Sequence, residues 1–230
     1  MEVNEDKIGE LTLIEMMLSG FLFLFIIITN VASNRFGYET FSSLEPDTKL
    51  KKINKDPRKF KIGTILILIE HIGIISLAIM LFLAFNSYSL ILAVVWTLSR
   101  ISEGLIQIYN KKSYWNLLNI SKQYSEANET EKKLLNELAY RILKTKNSVF
   151  TFVQILFSIG TLSYSILFVT SVVVPELIGW FGIVASFIYG FGSGIKLAKN
   201  NIKAVWSLGG LLILIFELVL GIWLILSPIL

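Results

Sequence analysis

The sequence predicts an all-α integral membrane protein, a bundle of six transmembrane helices, and three observations lead to this fold class. Of the 230 residues, 54% are hydrophobic and 17% are charged, whereas a soluble domain has about 25% charged residues. The charged residues are concentrated in a few polar segments. Between these segments lie six apolar stretches, each close to or above the roughly 20 residues that a helix needs to span the hydrocarbon layer. We therefore expect residues 1–230 to form a single transmembrane domain.

The first three spans are predicted at residues 11–33, 62–85 and 87–109. The first span follows an acidic start, whereas a secretory signal begins with a basic region, so we predict a helix that is retained. A polar segment that contains two prolines separates it from the second span. The second and third spans are joined by the turn sequence Asn86-Ser87-Tyr88-Ser89 and should form an adjacent hairpin.

An amphipathic helix is predicted at about residues 129–145, between spans three and four. Asn128-Glu129-Thr130-Glu131 has the pattern of a capping box, which marks a helix start. The apolar residues that recur at helical spacing after it are Leu134, Leu135, Leu138, Ile142 and Leu143. We expect this helix to lie at the membrane surface or to pack on its own bundle, and the pattern leaves both alternatives open.

The last three spans are predicted at residues 149–174, 177–195 and 204–226, with Val174-Pro175-Glu176 as the break after the fourth. The fourth span has a polar stripe that consists of Gln154, Ser158, Thr161 and Ser165. The fifth span has a small residue at every fourth position, namely Gly182, Ser186, Gly190 and Gly194. Small residues at this spacing allow two helices to approach closely, so we predict packing, with a groove for a lipid or ligand as the alternative.

The basic residues predict the orientation in the membrane. Of the 21 Lys and Arg residues, all but Lys7 and Arg100 lie in the first, third and fifth loops. Short loops rich in Lys and Arg mark the cytoplasmic side. We therefore predict a multi-pass protein of the cell membrane with both termini outside. The net charge of +4 arises from these loops, so we expect the lipid bilayer as a partner and no nucleic acid.

The residue content also limits the chemistry. The chain has no cysteine and one histidine, His71. Disulfides, thiolate metal sites, a histidine-rich zinc site and bis-histidine haem are therefore not expected. The lysines lie on loops or helix ends, which gives no support for a retinal-type Schiff base. We predict no metal and no cofactor.

Five ionisable residues fall inside the predicted spans and form the candidate binding site: Glu70, His71, Arg100, Glu103 and Glu217. Charged groups at this depth are costly unless they are paired and face the interior of the bundle. We expect them to lie in one layer of the membrane, because depths counted along each helix are similar.

Arg100 is central to this candidate site. Trp96, Arg100, Glu103 and Gln107 are spaced four, three and four residues apart, which places them on one stripe of the third helix. A guanidinium remains charged in proteins, so Arg100 needs an anion. We expect Glu217 within direct or water-bridged reach of Arg100, Glu103 on the same internal face, and Glu70 as the next candidate partner.

Two interpretations of the cluster follow from its residues. An ion-pair cluster would fix the packing of the helices, whereas a polar cavity would bind a small solute, a lipid headgroup or a proton. Three carboxylates against one arginine favour the cavity. We therefore predict a non-enzymatic binding or transport protein. The alternatives are an intramembrane enzyme that acts on a lipid-like substrate and a non-catalytic scaffold subunit of a membrane complex.

Four motifs resemble those of a prokaryotic membrane family, the domain of unknown function 4386 family. They are Arg100-x-x-Glu103-Gly104, Phe157-x-x-Gly160 with Tyr164, Pro175-x-x-Ile178-x-Trp180-x-Gly182, and Glu217-x-x-x-Gly221-x-Trp223-Leu224-Ile225. The resemblance covers about residues 62–226 and implies an integral membrane protein of bacteria or archaea with six or seven helices. It implies no activity, substrate or cofactor. Members of that family often have basic residues beside the Pro175 element, where this chain has none.

Overall fold

The computed structural model describes residues 2–198 and 203–227. This part of the chain contains eight helices and no strand. The helices are α1 (Glu2–Arg35), α2 (Pro46–Lys55), α3 (Pro57–Phe85), α4 (Leu90–Trp115), α5 (Leu117–Glu126), α6 (Glu129–Ser171), α7 (Glu176–Ala198) and α8 (Lys203–Leu226). Six segments among them are long and apolar enough to cross a membrane, which confirms the predicted all-α bundle of six spans.

The six long helices form a closed ring. α1 packs on α3, α3 on α4, α4 on α6, α6 on α7, α7 on α8, and α8 returns to α1. Each neighbour in the ring is also the next long helix in the chain, except where α8 meets α1; we call this contact the α1–α8 seam. The apolar core of the ring includes Phe23, Leu81, Trp96, Phe168 and Phe216. The end where α1 ends and α3 begins is here called the basic end, because most Lys and Arg residues belong to segments at this end.

Local sequence features explain where the spanning helices begin and end. Asp56 caps α3 by accepting a hydrogen bond from the Lys59 backbone N–H at 2.9 Å, and Pro57 occupies the first helical position. Ser89 caps α4 in the predicted hairpin turn. Helix α6 ends at Ser171, and the capping residue Val172 that follows adopts a left-handed conformation with φ 55°. These ends place α3, α4 and α6 in alternating directions across the bilayer.

The predicted surface helix at 129–145 is not confirmed as a separate element. The capping box forms as predicted, with the Asn128 side chain accepting from the backbone N–H groups of Thr130 and Glu131 at 3.0 Å. The helix that starts there continues through 43 residues to Ser171. No proline or glycine interrupts residues 129–149, so nothing ends the helix at the membrane boundary. At about 1.5 Å per residue the rod is roughly 65 Å long, about twice the hydrocarbon thickness.

The first half of α6 instead belongs to a small helical layer outside the ring, here called the extramembrane layer. Helices α2 and α5 pack on each other and on α6 at the basic end. Their apolar faces share a second buried cluster, which includes Leu50, Ile53, Leu117, Ile120 and Leu143. Leu135, Ile142 and Leu143 therefore pack on the protein itself, the second of the two alternatives that the sequence left open, whereas Leu134 and Leu138 are exposed.

The small-residue face of α7 packs against its neighbours over most of its length. A β-carbon added to Gly182 would lie 2.6 Å from the Phe216 ring of α8, and one added to Gly190 would lie 2.8 Å from the Ser158 side chain of α6. One added to Gly194 would meet no described atom within 4 Å. The close approach predicted from the spacing thus occurs at the first two glycines and not at the third.

Candidate functional site

A cavity of about 280 Å³ lies inside the ring, and all six ring helices contribute to its wall. Its apolar wall is interrupted by a set of charged and amide side chains. These are Asn30, Glu70, Arg100, Glu103, Gln107, Gln154 and Glu217. Four of the five candidate site residues from the sequence analysis therefore line this cavity: Glu70, Arg100, Glu103 and Glu217.

Arg100 and Glu103 form a buried ion pair on α4. Arg100 Nη1 donates to Glu103 Oε2 at 2.7 Å, and the two side chains are 4% and 9% exposed. The guanidinium carbon also lies 4.3 Å from the centre of the Phe157 ring, a cation–π arrangement. Gly160 makes room for this side chain, because an added β-carbon would lie 3.1 Å from Arg100 Cγ. The arginine is thus held by a partner one turn away on its own helix.

Glu217 extends from α8 into the same cavity and is intermediate in exposure. Within the described part of the chain its carboxylate accepts no hydrogen bond and belongs to no ion pair. Arg100 interacts with it electrostatically across the cavity without reaching ion-pair distance. The expected direct contact between the two is therefore absent, and a water bridge between them stays a prediction.

Glu70 lines the cavity from α3. Its Oε2 atom accepts a hydrogen bond from Asn30 Nδ2 of α1 at 3.0 Å. The buried Lys111 interacts with Glu70 electrostatically and donates from Nζ to Gln107 Oε1 at 3.2 Å. Glu70 thus has a hydrogen-bond donor and a nearby cation.

His71 is buried and does not line the cavity. Both of its ring nitrogens are without a hydrogen-bond partner in residues 2–198 and 203–227. Side chains of adjacent residues on a helix point about 100° apart, so Glu70 and His71 cannot both point into the cavity. The structure therefore brings Glu70, but not His71, together with the α4 pair.

Gln154 is a site residue that the sequence analysis noted only as part of a polar stripe. Its Oε1 atom accepts from Trp206 Nε1 at 2.6 Å and from Ser193 Oγ at 3.2 Å, which links α6 to α8 and α7. An indole N–H can only donate, so the atom that it reaches must be the amide oxygen. The Nε2 atom is buried and has no partner among the described residues. A polar stripe on a spanning helix was the feature that could have identified it.

A loop at residues 36–45, here called the cap segment, covers the basic end of the cavity and contributes Thr40 to its wall. Lys146 of α6 is 1% exposed and holds this segment. Its Nζ atom donates to the backbone oxygens of Glu39 and Thr40 at 2.6 and 2.9 Å and to Ser42 Oγ at 3.1 Å. One buried lysine thus contacts three residues of the loop.

Burial shifts the pKa values of two groups near the basic end, Tyr38 of the cap segment and Lys49 of α2. Burial lowers the pKa of Lys49, an effect that its ion pair with Glu39 at 3.1 Å opposes. Burial raises the pKa of Tyr38 well above its usual value, and nearby negative charge acts in the same direction. Tyr38 is therefore neutral at physiological pH and contributes its ring, which lies 4.9 Å from Lys146 Nζ.

A ring of spanning helices around a charged cavity defines a multi-pass integral membrane protein with a polar interior. A family comparison matches residues 18–227, from α1 to the end of α8, to the domain of unknown function DUF4386. The chain belongs to this family, as the four sequence motifs predicted. No curated protein and no solved structure matches it.

Proposed function

We propose that this protein binds a small solute in the central cavity, on the side chains of Arg100, Glu103, Glu217 and Glu70, and that it serves as a binding or transport protein. The observation that supports this most directly is Glu217, which faces a cavity of about 280 Å³ without a hydrogen bond or ion pair from the described residues. Polar groups inside a membrane domain that face a cavity are typical of substrate and ion pathways.

A purely structural charge cluster would differ from this arrangement in two respects. It would be closely packed, since an unfilled space beside charges forfeits both contacts and solvation. It would also give each buried carboxylate a partner, because a charge left alone in an apolar environment is costly. The Arg100–Glu103 pair fits this description. The Glu217 carboxylate, which faces the cavity without a partner among the described residues, and the buried Nε2 atom of Gln154 do not. These two groups favour a ligand site over a scaffold.

The enzymatic alternative receives less support from the cavity. The single histidine, His71, which could act as a general base, does not line it. Glu103 is engaged by Arg100 and Glu70 by Asn30. This leaves Glu217 as the one carboxylate of the described wall available to a reactant. Hydrolysis with two carboxylates needs both of them free to act on the substrate, one as a general acid and the other as a general base or nucleophile.

For the localisation we propose a single domain in the cell membrane, with the basic end in the cytoplasm and both termini outside. The positive-inside rule supports this orientation. The chain has no native cysteine, so single cysteines can report it directly. Cysteine at Lys52 should be protected from an impermeant maleimide on intact cells, and cysteine at Tyr88 should react. The reverse pattern would refute the orientation.

Access to the cavity tests the binding function. Val153 and Thr161 are both β-branched, both buried on α6 and similar in size to cysteine, but only Val153 lines the cavity. We expect Val153→Cys to react with a small membrane-permeant maleimide in the folded protein and Thr161→Cys to stay unmodified. Equal protection of both cysteines would mean that no solute reaches the cavity, and would contradict the proposed function.

A further inference from the structure

We infer that the ligand of the cavity is a lipophilic organic cation, which enters from the bilayer between α1 and α8 and places its charge against Glu217. This inference rests on the proposed function, since it names the ligand class and the entry route of the same cavity. Three features support it: the balance of charge on the wall, the apolar and aromatic character of the remaining wall, and the position of the exposed wall residues.

The charge balance leaves one carboxylate without a counter-charge of its own, because three carboxylates face the charges of Arg100 and Lys111 only. Three carboxylates and one guanidinium line the cavity. Arg100 is engaged by Glu103 at 2.7 Å. The charge of Lys111, which lies behind the wall, acts on Glu70. Glu217 has neither an ion pair nor a hydrogen bond among the described residues. A ligand with a single positive charge would supply what is missing, whereas an anion would be repelled.

The rest of the wall suits the apolar part of such a ligand. Aliphatic side chains from four helices surround the polar groups, among them Ile26, Ile74, Val153 and Ile213. The aromatic residues Phe150 and Tyr189 also line it. Aromatic rings attract organic ammonium groups through their quadrupoles. The volume of about 280 Å³ lies near the lower end of the range for small-molecule pockets, which favours a compact ligand.

The exposed part of the wall lies at the α1–α8 seam. Among the described residues that line the cavity, only Val31 of α1 and Leu214 of α8 are exposed, at 55% and 39%. At the other end the seam is closed, because a β-carbon on Gly20 would lie 2.5 Å from the Gly221 backbone oxygen. The cavity therefore reaches the lipid-facing surface in the half of the seam nearer the basic end.

Entry by this route leads directly to the carboxylate. Leu214 and Glu217 are three residues apart and lie on one face of α8. A ligand that passes Leu214 therefore meets Glu217 about one helical turn deeper. Lateral entry also suits a lipophilic ligand, which is concentrated in the bilayer before it binds. A strongly hydrated ion would have to leave water and cross lipid to use the same opening.

Three probes of similar size and different charge test the ligand class: benzyltrimethylammonium, its uncharged carbon isostere neopentylbenzene, and the anion phenylacetate. Thermal unfolding of the detergent-purified protein should shift upward and saturate with benzyltrimethylammonium only. In Glu217→Gln the half-saturating concentration of this cation should rise at least roughly tenfold. Glu137→Gln, which changes an exposed carboxylate of α6, should leave it unchanged.

The other outcomes separate this inference from the function on which it rests. Stabilisation by the isostere or the anion, or an unchanged response of Glu217→Gln to the cation, would overturn the cation assignment and leave solute binding intact. If no probe stabilises the protein, the cation assignment is wrong. If Val153→Cys is then also unreactive, the proposed function fails with it.

A second pair of variants tests the entry route without altering Glu217. Leu214→Trp should narrow the opening, whereas Leu211→Trp changes an exposed residue of α8 that does not line the cavity. In proteoliposomes, an apolar maleimide should label Val153→Cys at least several-fold more slowly with Leu214→Trp than with Leu211→Trp. Equal labelling rates in the two backgrounds would overturn entry through the seam.

Discussion

Replacing Glu103 by glutamine should destabilise the protein far more than the same change at Glu217. Glu103 is paired with Arg100 at 2.7 Å, and both side chains are almost fully buried. Removing one partner of such a pair leaves an uncompensated charge and costs about 3–5 kcal/mol. Glutamine keeps one acceptor oxygen, and the Glu217 carboxylate faces the same cavity. We therefore expect the lower end, about 3 kcal/mol, which corresponds to a decrease in Tm of roughly 6–12 °C.

Thermal unfolding in detergent, followed by tryptophan fluorescence, measures this difference. Glu137→Gln is the matched control, because Glu137 pairs with Arg141 at 2.6 Å on the exposed surface of α6, where such a pair contributes about 0.5 kcal/mol or less. The double variant Arg100→Met/Glu103→Gln should lose less stability than the two single changes added together. A decrease for Glu217→Gln as large as that for Glu103→Gln would refute the assignment of the ion pair.

Two further predictions concern packing and the cap segment. Gly190→Leu should destabilise the bundle by about 1–3 kcal/mol through overpacking against α6, whereas Gly194→Leu, where a β-carbon meets no described atom within 4 Å, should change the Tm little. Lys146→Met removes the three hydrogen bonds that hold the cap segment, so limited proteolysis within residues 36–45 should become much faster. Lys144→Met, which changes an exposed lysine of the same helix, should leave the cleavage rate unchanged. Equal cleavage rates in the two variants would show that Lys146 does not hold the cap segment.

The sequence predicted the membrane part of the fold well, because the thickness of the bilayer sets the length of an apolar stretch. It predicted the limits of helices poorly where they leave the bilayer. Helix α6 begins at Glu129, twenty positions before the predicted span at 149, and α4 continues to Trp115 beyond the predicted end at 109. Outside the hydrocarbon layer a helix no longer requires apolar residues, so hydropathy does not mark its continuation.

The sequence predicted that Glu70, Arg100, Glu103 and Glu217 would lie close together, which the cavity wall confirms, but it did not predict all of their contacts. Depth along the membrane can be counted from the sequence, whereas the rotation of each helix depends on its packing. For this reason the sequence predicted Glu217 within reach of Arg100 and Glu103 on the same face, while in the structure Arg100 pairs with Glu103 and does not reach Glu217 at ion-pair distance. The sequence also placed His71 in the site beside Glu70, because the rotation of the helix could not be predicted. In the structure only Glu70 of these two lines the cavity.

The contacts of the cap segment could not be predicted from the sequence at all. Two of the three groups that accept hydrogen bonds from Lys146 are backbone oxygens, at Glu39 and Thr40. Every residue has a backbone oxygen, so the residue type carries no information about such a partner. The sequence separation of more than 100 positions hides the contact further.

The position of both ion-pair partners on α4 has a consequence for biosynthesis. Membrane helices are inserted in chain order, so α4 enters the bilayer before α8 and Glu217 have been synthesised. An isolated arginine at the centre of a helix opposes insertion by about 2.5–3.5 kcal/mol. Because Glu103 lies three residues from Arg100 on the same helix, α4 enters the bilayer with its own counter-charge. In the structure, the contact of α8 with α1 at Gly20 and Gly221 closes the ring around this pair.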